Sequence, residues 1–146
     1  MKTVAQMLHA KPRQQVHTIE ADAPMLEALR LMAEQNIGAL PVTEGGRLVG
    51  IVSERDYARR GVLQGRSSVA TPVREFMTEP VFTVHARQSI RECMSLMTDR
   101  HMRHLPVVED GQLIGLLSIG DLVKEAMAEQ DNLILHLEQY IRGEVA

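Results

Sequence analysis

"LPVTEGGRLVGIVSERD", residues 40–56, and "LPVVEDGQLIGLLSIGD", residues 105–121, spell one pattern twice. Each begins Leu-Pro-Val, turns at Gly45-Gly46 or Asp110-Gly111, and ends on Ser, two residues, then Asp. Working outward, a shift of 65 residues aligns Val16–Tyr57 with Val81–Leu122 without a gap, and 15 of the 42 positions are identical. Two copies are too few for a solenoid. Each copy has an apolar face to cover, which predicts a closed pair packed face to face.

Both copies follow the same order. "VHTIEA" and "VFTVHA" alternate like short strands. Met25, Leu29 and Met32 in the first copy, and Ile90, Met94 and Met97 in the second, are spaced i, i+4, i+7 and predict one apolar helical stripe each. Pro24 suits a first helical turn and Ser89 an N-cap. "ALPVTE", "RLVGIVS", "HLPVVE" and "QLIGLLS" read as strands, joined in pairs by turn residues that tolerate positive φ. A second helix follows Ser53 or Ser118. The fold class is therefore α/β (α+β): strand–helix–strand–strand–helix, twice. We divide the chain into an N-terminal segment (1–15), repeat 1 (16–60), a linker with a short lead-in helix (61–79), repeat 2 (80–125) and a C-terminal helix (126–146). Leu133, Leu137 and Tyr140 lie on one face of that last helix, so either a partner subunit or the chain's own core covers it.

Composition limits the functions open to such a chain. With 45% hydrophobic residues, two Phe, two Tyr and no Trp in 146 residues, the core falls to aliphatic side chains and nine Met, which adapt to irregular or ligand-responsive surfaces. A net charge of −3 argues against nucleic acid and anionic membrane as partners. No stretch has the apolar length of a signal peptide or a membrane span, so a cytoplasmic location is expected. The single Cys93 excludes an internal disulfide, and its helical setting beside Met94 and Met97 predicts a small buried hydrophobe. The six His residues have no carboxylate at metal-ligand spacing, so no metal is expected. No nucleophile–base arrangement or P-loop appears. Arg59 and Arg60 read as a solvated helix face, and "GRSS" at 65–68 as a flexible turn.

The duplicated "LPV…G.L.G…S..D", each copy preceded by a Thr-bearing strand and an amphipathic helix, resembles the tandem CBS-domain pair, or Bateman module. "VREFMTEPVFTV" resembles that family's usual lead-in to a repeat. The resemblance covers roughly 16–60 and 73–124. It implies two repeats related by a pseudo-two-fold axis and packed sheet to sheet, with two clefts that bind adenosine-containing ligands: AMP, ADP, ATP, NAD or S-adenosylmethionine. It further implies a regulatory module with no catalytic cofactor, acting on a downstream protein that the sequence does not name. A homodimer is expected, because the apolar stripes and the terminal helix exceed what one small pair can cover.

On this reading the Ser-x-x-Asp ending has a chemical purpose. Asp56 or Asp121 accepts from both ribose hydroxyls, Ser53 or Ser118 bonds sugar or phosphate, and the helix N-terminus favours the anion. The simpler role is capping, with Ser as N-cap and Asp in the first turn. Thr18 and Thr83 face the base. Ile37, Leu40 and Pro41, with Met102, Leu105 and Pro106, form apolar walls that double as strand core. The copies differ where phosphate would lie: Arg55 is matched by Gly120, and Gly38-Ala39 by Arg103-His104. Arg55, Arg103 and His104 are the candidate phosphate ligands, Arg for its fork of donors and His when protonated. Two other classes remain open: a nucleotide-acting enzyme with Asp56 or Asp121 as base, and a nucleic-acid-binding regulator.

Overall fold

The computed structural model describes residues 2–11, 16–79 and 81–143. Met1, residues 12–15, Pro80 and residues 144–146, the ends of the N-terminal segment and of the C-terminal helix among them, lie outside the described residues. The elements are α1 (Val4–Ala10), β1 (Ile19–Glu20), α2 (Met25–Gln35), β2 (Ala39–Glu44), β3 (Arg47–Ser53), α3 (Glu54–Arg60), α4 (Ile90–Arg100), β4 (His104–Glu109), β5 (Gln112–Ser118) and α5 (Ile119–Ile141). Short 3-10 turns stand at Val62–Gln64 and Val73–Glu75. This mixed α/β chain separates into two compact units, residues 15–82 and residues 1–14 with 83–146.

In the first unit β1 pairs parallel to β2, and β2 antiparallel to β3. The hairpin turns where expected, because Gly45 and Gly46 both hold positive φ, 58° and 82°. Asp110 and Gly111 do the same between β4 and β5, at 51° and 77°. A bulge falls at Val42/Thr43 and again at Val107/Val108, one repeat apart. The opening strands are shorter than the alternation predicts. "VHTIEA" contributes two paired residues, and "VFTVHA" a single parallel bridge from Val84 to Val107.

Helices α2 and α4 close identically, with Asn36 and His101 in the left-handed region at φ 53° and 54°. Their buried faces differ from the predicted stripe. Met25, Ala28 and Met32 are buried on α2, whereas α4 buries Ile90, Cys93 and Met97 and leaves Met94 exposed. The groove between α4 and α5 accounts for this, since Met94 faces Leu133 and Ala126 there rather than the core. Cys93 is fully buried, and that burial pushes its thiol up to about 11, with Glu92 adding to the effect. It is a packed thiol at neutral pH, not a nucleophile.

The repeats also end differently. Helix α3 stops at Gly61, where a Cβ would lie 2.6 Å from the Tyr57 carbonyl oxygen. The matching residue in repeat 2 is Ala126, and no break follows. Repeat helix and C-terminal helix run together as the single 23-residue α5. Beyond its first turns α5 exposes Met127, Leu133, Ile134, Leu137, Tyr140 and Ile141. No helix among the described residues is long and apolar enough to cross a membrane.

The N-terminal segment has a structural partner that the 65-residue repeat does not reveal. Val4 and Met7 of α1 are buried in the core of the second repeat, with Val84, Ile90, Cys93, Met97, Leu105 and Leu117. Val73, Phe76 and Met77 fill the same place in the first, against Met25, Met32, Leu40 and Val52. The backbone bonds correspond. Val73 N–H donates to Ala23 and Arg74 N–H to Ala21, while Val4 donates to Gln88 and Ala5 to Ala86, all at 2.8–2.9 Å. Helix α1 is thus a second lead-in segment. Arg60, expected to be solvated, serves the first one by donating to the carbonyls of Phe76 and Met77 at 3.2 and 2.8 Å.

Each lead-in lies against a strand glycine. A Cβ on Gly50 would fall 2.7 Å from Met77 Sδ and 3.1 Å from the Thr78 carbonyl oxygen; on Gly115 it would meet the Leu8 methyls at 2.6 and 2.9 Å. Leu8 can turn away, but Thr78 is held by its two-way backbone pairing with Ile51. Gly50→Ala is therefore expected to cost about 1–3 kcal/mol. Gly115→Ala should cost less, and urea midpoints of the two variants test the order.

Candidate functional site

The Ser-x-x-Asp endings form two nearly superimposable corners. In each, Ser is the N-cap and Asp the third helical residue of a capping box. Asp56 N–H donates to Ser53 Oγ at 3.0 Å, and Ser53 N–H returns a bond to Asp56 Oδ2 at 2.9 Å. In the second corner Asp121 N–H donates to Ser118 Oγ at 3.1 Å, and Ser118 N–H to Asp121 Oδ2 at 2.9 Å. Capping is thus fulfilled in both repeats. These bonds fall on Oδ2 in each case, and both carboxylates are half-buried.

Strand pairing decides what stands beside each corner. Ala39 pairs with Ser53, and Glu54 N–H donates to the Gly38 carbonyl at 3.1 Å. His104 pairs with Ser118, and Ile119 N–H donates to the Arg103 carbonyl at 2.8 Å. The Asp121 corner therefore has Arg103 and His104 in its wall. The Asp56 corner has Gly38 and Ala39 there, with Glu54 and Arg55 on its helix; Arg55 belongs to the first unit, Arg103 and His104 to the second.

The remaining sequence candidates fall into matched places. Thr18 and Thr83 are exposed, each one residue before a strand pairing, Ile19 with Val42 and Val84 with Val107. Ile37 and Met102 are half-buried just after the left-handed caps, their N–H groups bonded to Met32 and Met97 at 3.0 and 2.9 Å. Leu40 and Leu105 have no exposed surface and belong to the two cores; Pro41 and Pro106 are also buried. Among the described residues no group of three His, Cys, Asp or Glu is placed to hold a metal.

One participant was missing from the sequence reading. Lys11, just past α1, donates from Nζ to Asp121 Oδ2 at 2.8 Å and to the Leu116 carbonyl at 2.9 Å. Its neighbour in the arm, Lys2, pairs with Glu125 at 3.0 Å and donates its backbone N–H to Glu129 at 2.8 Å. Asp121, Glu125 and Glu129 are four residues apart on α5, so the arm lies along one acidic stripe and pairs two of its three carboxylates with ammonium groups. Burial alone would push the Asp121 carboxyl up; the hydrogen bonds from Lys11 and Ser118 outweigh it and hold the carboxyl below its usual value of 3.8. A depressed carboxyl stabilises the fold above its unfolded pKa, and that contribution is lost as pH falls through the folded one. Lys11→Met should therefore be less stable than the parent at pH 7, the difference shrinking in acid below the ordinary carboxylate range. Urea unfolding followed from pH 7 downward checks this.

Known proteins are similar to this chain in sequence and fold. The CBS domain family model matches residues 4–62 and 73–128, so each match includes a lead-in. The CBS domain-containing protein CBSX3, mitochondrial, of Arabidopsis thaliana is 40% identical over 127 residues, 84% of this chain and 62% of that protein. The chain thus spans less than two thirds of that relative's length. Among solved structures, a protein with CBS domains from Burkholderia ambifaria matches with a TM-score of 0.84 at 54% identity, covering 88% of this chain and 96% of the other. CBSX2, solved in complex with AMP, matches with a TM-score of 0.72 at 30% identity over 89% and 99% of the two chains.

Proposed function

Because the chain belongs to the CBS-domain family, we propose that it is a cytoplasmic adenine-nucleotide-binding regulatory module, taking a ligand of the AMP, ATP or NAD type. The observation that carries this reading is the duplicated corner, whose carboxylate is fixed through Oδ2 and can turn Oδ1 to a ligand. A fixed acceptor at a helix N-terminus suits a ribose diol followed by phosphate. AMP bound to CBSX2 supports the ligand class. In this reading Asp56 and Asp121 take ribose hydroxyls, and Ser53 and Ser118 the sugar or phosphate. Thr18 and Thr83 sit toward the base, beside Ile37, Pro41, Met102 and Pro106. Arg55, Arg103 and His104 serve phosphate.

The module has no catalysis of its own. A carboxylate tied into a capping box is a poor general base, and Asp121, held below the usual carboxylate range, is poorer still. Signalling passes through a homodimer and an unidentified downstream protein, the ligand acting through its different affinity for two states. The exposed apolar face of α5 supports self-association.

The test is mass spectrometry of ligands released from the purified protein, followed by calorimetry with AMP, ATP, NAD and GMP. Adenine nucleotides should bind and GMP should bind more weakly; equal binding of GMP, or no binding at all, overturns the reading. Sedimentation of a monomer at micromolar concentration would remove the dimer from it.

A further inference from the structure

Half of the charge difference between the corners comes from outside the repeats. Lys11 follows α1, and α1 corresponds to the lead-in Val73–Met77 with an offset of 69 residues: Val4 with Val73, Met7 with Phe76, Leu8 with Met77. On that offset the counterpart of Lys11 is Pro80. Only one corner can receive a cation from this position. Around Asp121 stand Lys11 and Arg103 against one carboxylate, with Ile119 and Gly120 uncharged on the helix. Around Asp56 stand Arg55 against two carboxylates, Glu54 and Asp56 itself.

We propose that Lys11 is a specificity-determining residue that makes the Asp121 corner select the phosphorylated adenine nucleotide over adenosine, while the Asp56 corner discriminates weakly. This rests on the nucleotide-binding reading above.

Two features of Lys11 support the assignment. Its side chain is 28% exposed, so its field is less screened than that of a surface lysine. It also has three donors, and the bonds to Asp121 Oδ2 and the Leu116 carbonyl take two of them. The third can reach an anion without breaking either. The pairing places the cation on the carboxylate that would otherwise repel a nearby phosphate. A ribose accepted by Asp121 therefore brings its 5′ substituent into a region of compensated charge, where a phosphate gains and a hydroxyl does not.

The experiment is calorimetry of AMP and adenosine on the full chain carrying Asp56→Asn, which keeps the cap while weakening the Asp56 corner, with and without Lys11→Met or Lys11→Arg. AMP should bind on the order of tenfold tighter than adenosine. Lys11→Met should weaken AMP by about tenfold, removing most of the preference, and leave adenosine within about threefold. Lys11→Arg should restore most of the preference. Far-ultraviolet circular dichroism with a thermal melt identifies any variant that has lost its fold, and Lys11→Arg, which keeps the ion pair, is then read alone: loss of the AMP preference in the folded Arg variant counts against the proposal.

If AMP and adenosine both tighten in Lys11→Met, the lysine obstructs the corner and the proposal is wrong. Unchanged AMP affinity in Lys11→Met also overturns it, as does loss of all binding with Asp56→Asn while Asp121→Asn still binds. If the unmodified protein binds neither ligand, the nucleotide reading itself falls, and this inference with it.

Discussion

A Phe76→Ala protein should lose roughly 3–5 kcal/mol from the unit formed by residues 15–82, the largest stability effect expected of any single truncation in this chain. Phe76 is fully buried and the largest side chain in either core. Its ring lies 5.9 Å from that of Tyr57, tilted by 56°. Its carbonyl, with that of Met77, receives the Arg60 guanidinium. Truncation empties a cavity under the lead-in and loosens its hold on β3 at Gly50. The two units have separate cores, so the loss should be local at first. Amide exchange should accelerate across β2 and β3 before β4 and β5, and uniform acceleration would show that the units unfold as one.

The second large effect concerns Asp56 and Asp121. Asp→Ala removes a charged acceptor and a capping partner together, which confuses binding with folding. Asp→Asn separates them, because the amide oxygen can still receive the Ser N–H. Asp56→Asn should keep the melting temperature of the unliganded protein within a few degrees. Nucleotide affinity at that corner should fall about tenfold to a hundredfold, since bonds to a charged acceptor contribute roughly 1.5–3 kcal/mol. Asp121→Asn should lose affinity similarly and also some stability, because it weakens the half-buried pair with Lys11. Unchanged calorimetric affinity in both Asn variants would leave the two carboxylates as caps alone.

Much of this was legible in the sequence because the repeat is gapless from Val16 onward. A constant offset preserves turn, strand and cap together, so Gly45-Gly46 and Asp110-Gly111, or Ser53 and Ser118, could be read by comparison. The lead-in was not legible in the same way. Leu8 to Val16 spans eight residues and Met77 to Val81 four, so a 65-residue shift misaligns "VAQML" with its counterpart "VREFM". A search at an offset of 69 finds Val-x-x-(Met/Phe)-(Leu/Met) in both. Lys11 was hidden for the same reason: its partner lies 110 residues away. Met94 misled because i, i+4 spacing fits a helical face without saying which neighbour covers it, and α4 meets its core through Cys93 instead. The single helix α5 could have been suspected from Ala126, which stands where repeat 1 has the helix-ending Gly61.

The exchange of lead-ins also sets an order of events as the chain is made. Met77 reaches Gly50 across 27 positions, so the first repeat can close as soon as its own lead-in has emerged. Leu8 must wait for Gly115, 107 positions later. The longer closure costs about 1 kcal/mol more in chain entropy, but the delay matters more than the cost. Val4, Met7 and Leu8 are synthesised before either repeat and are among the last residues to be covered. At the usual pace of synthesis they stay unpaired for several seconds beside a finished first repeat. Anything fused ahead of this arm, or bound to it during that interval, acts on the second repeat before it exists.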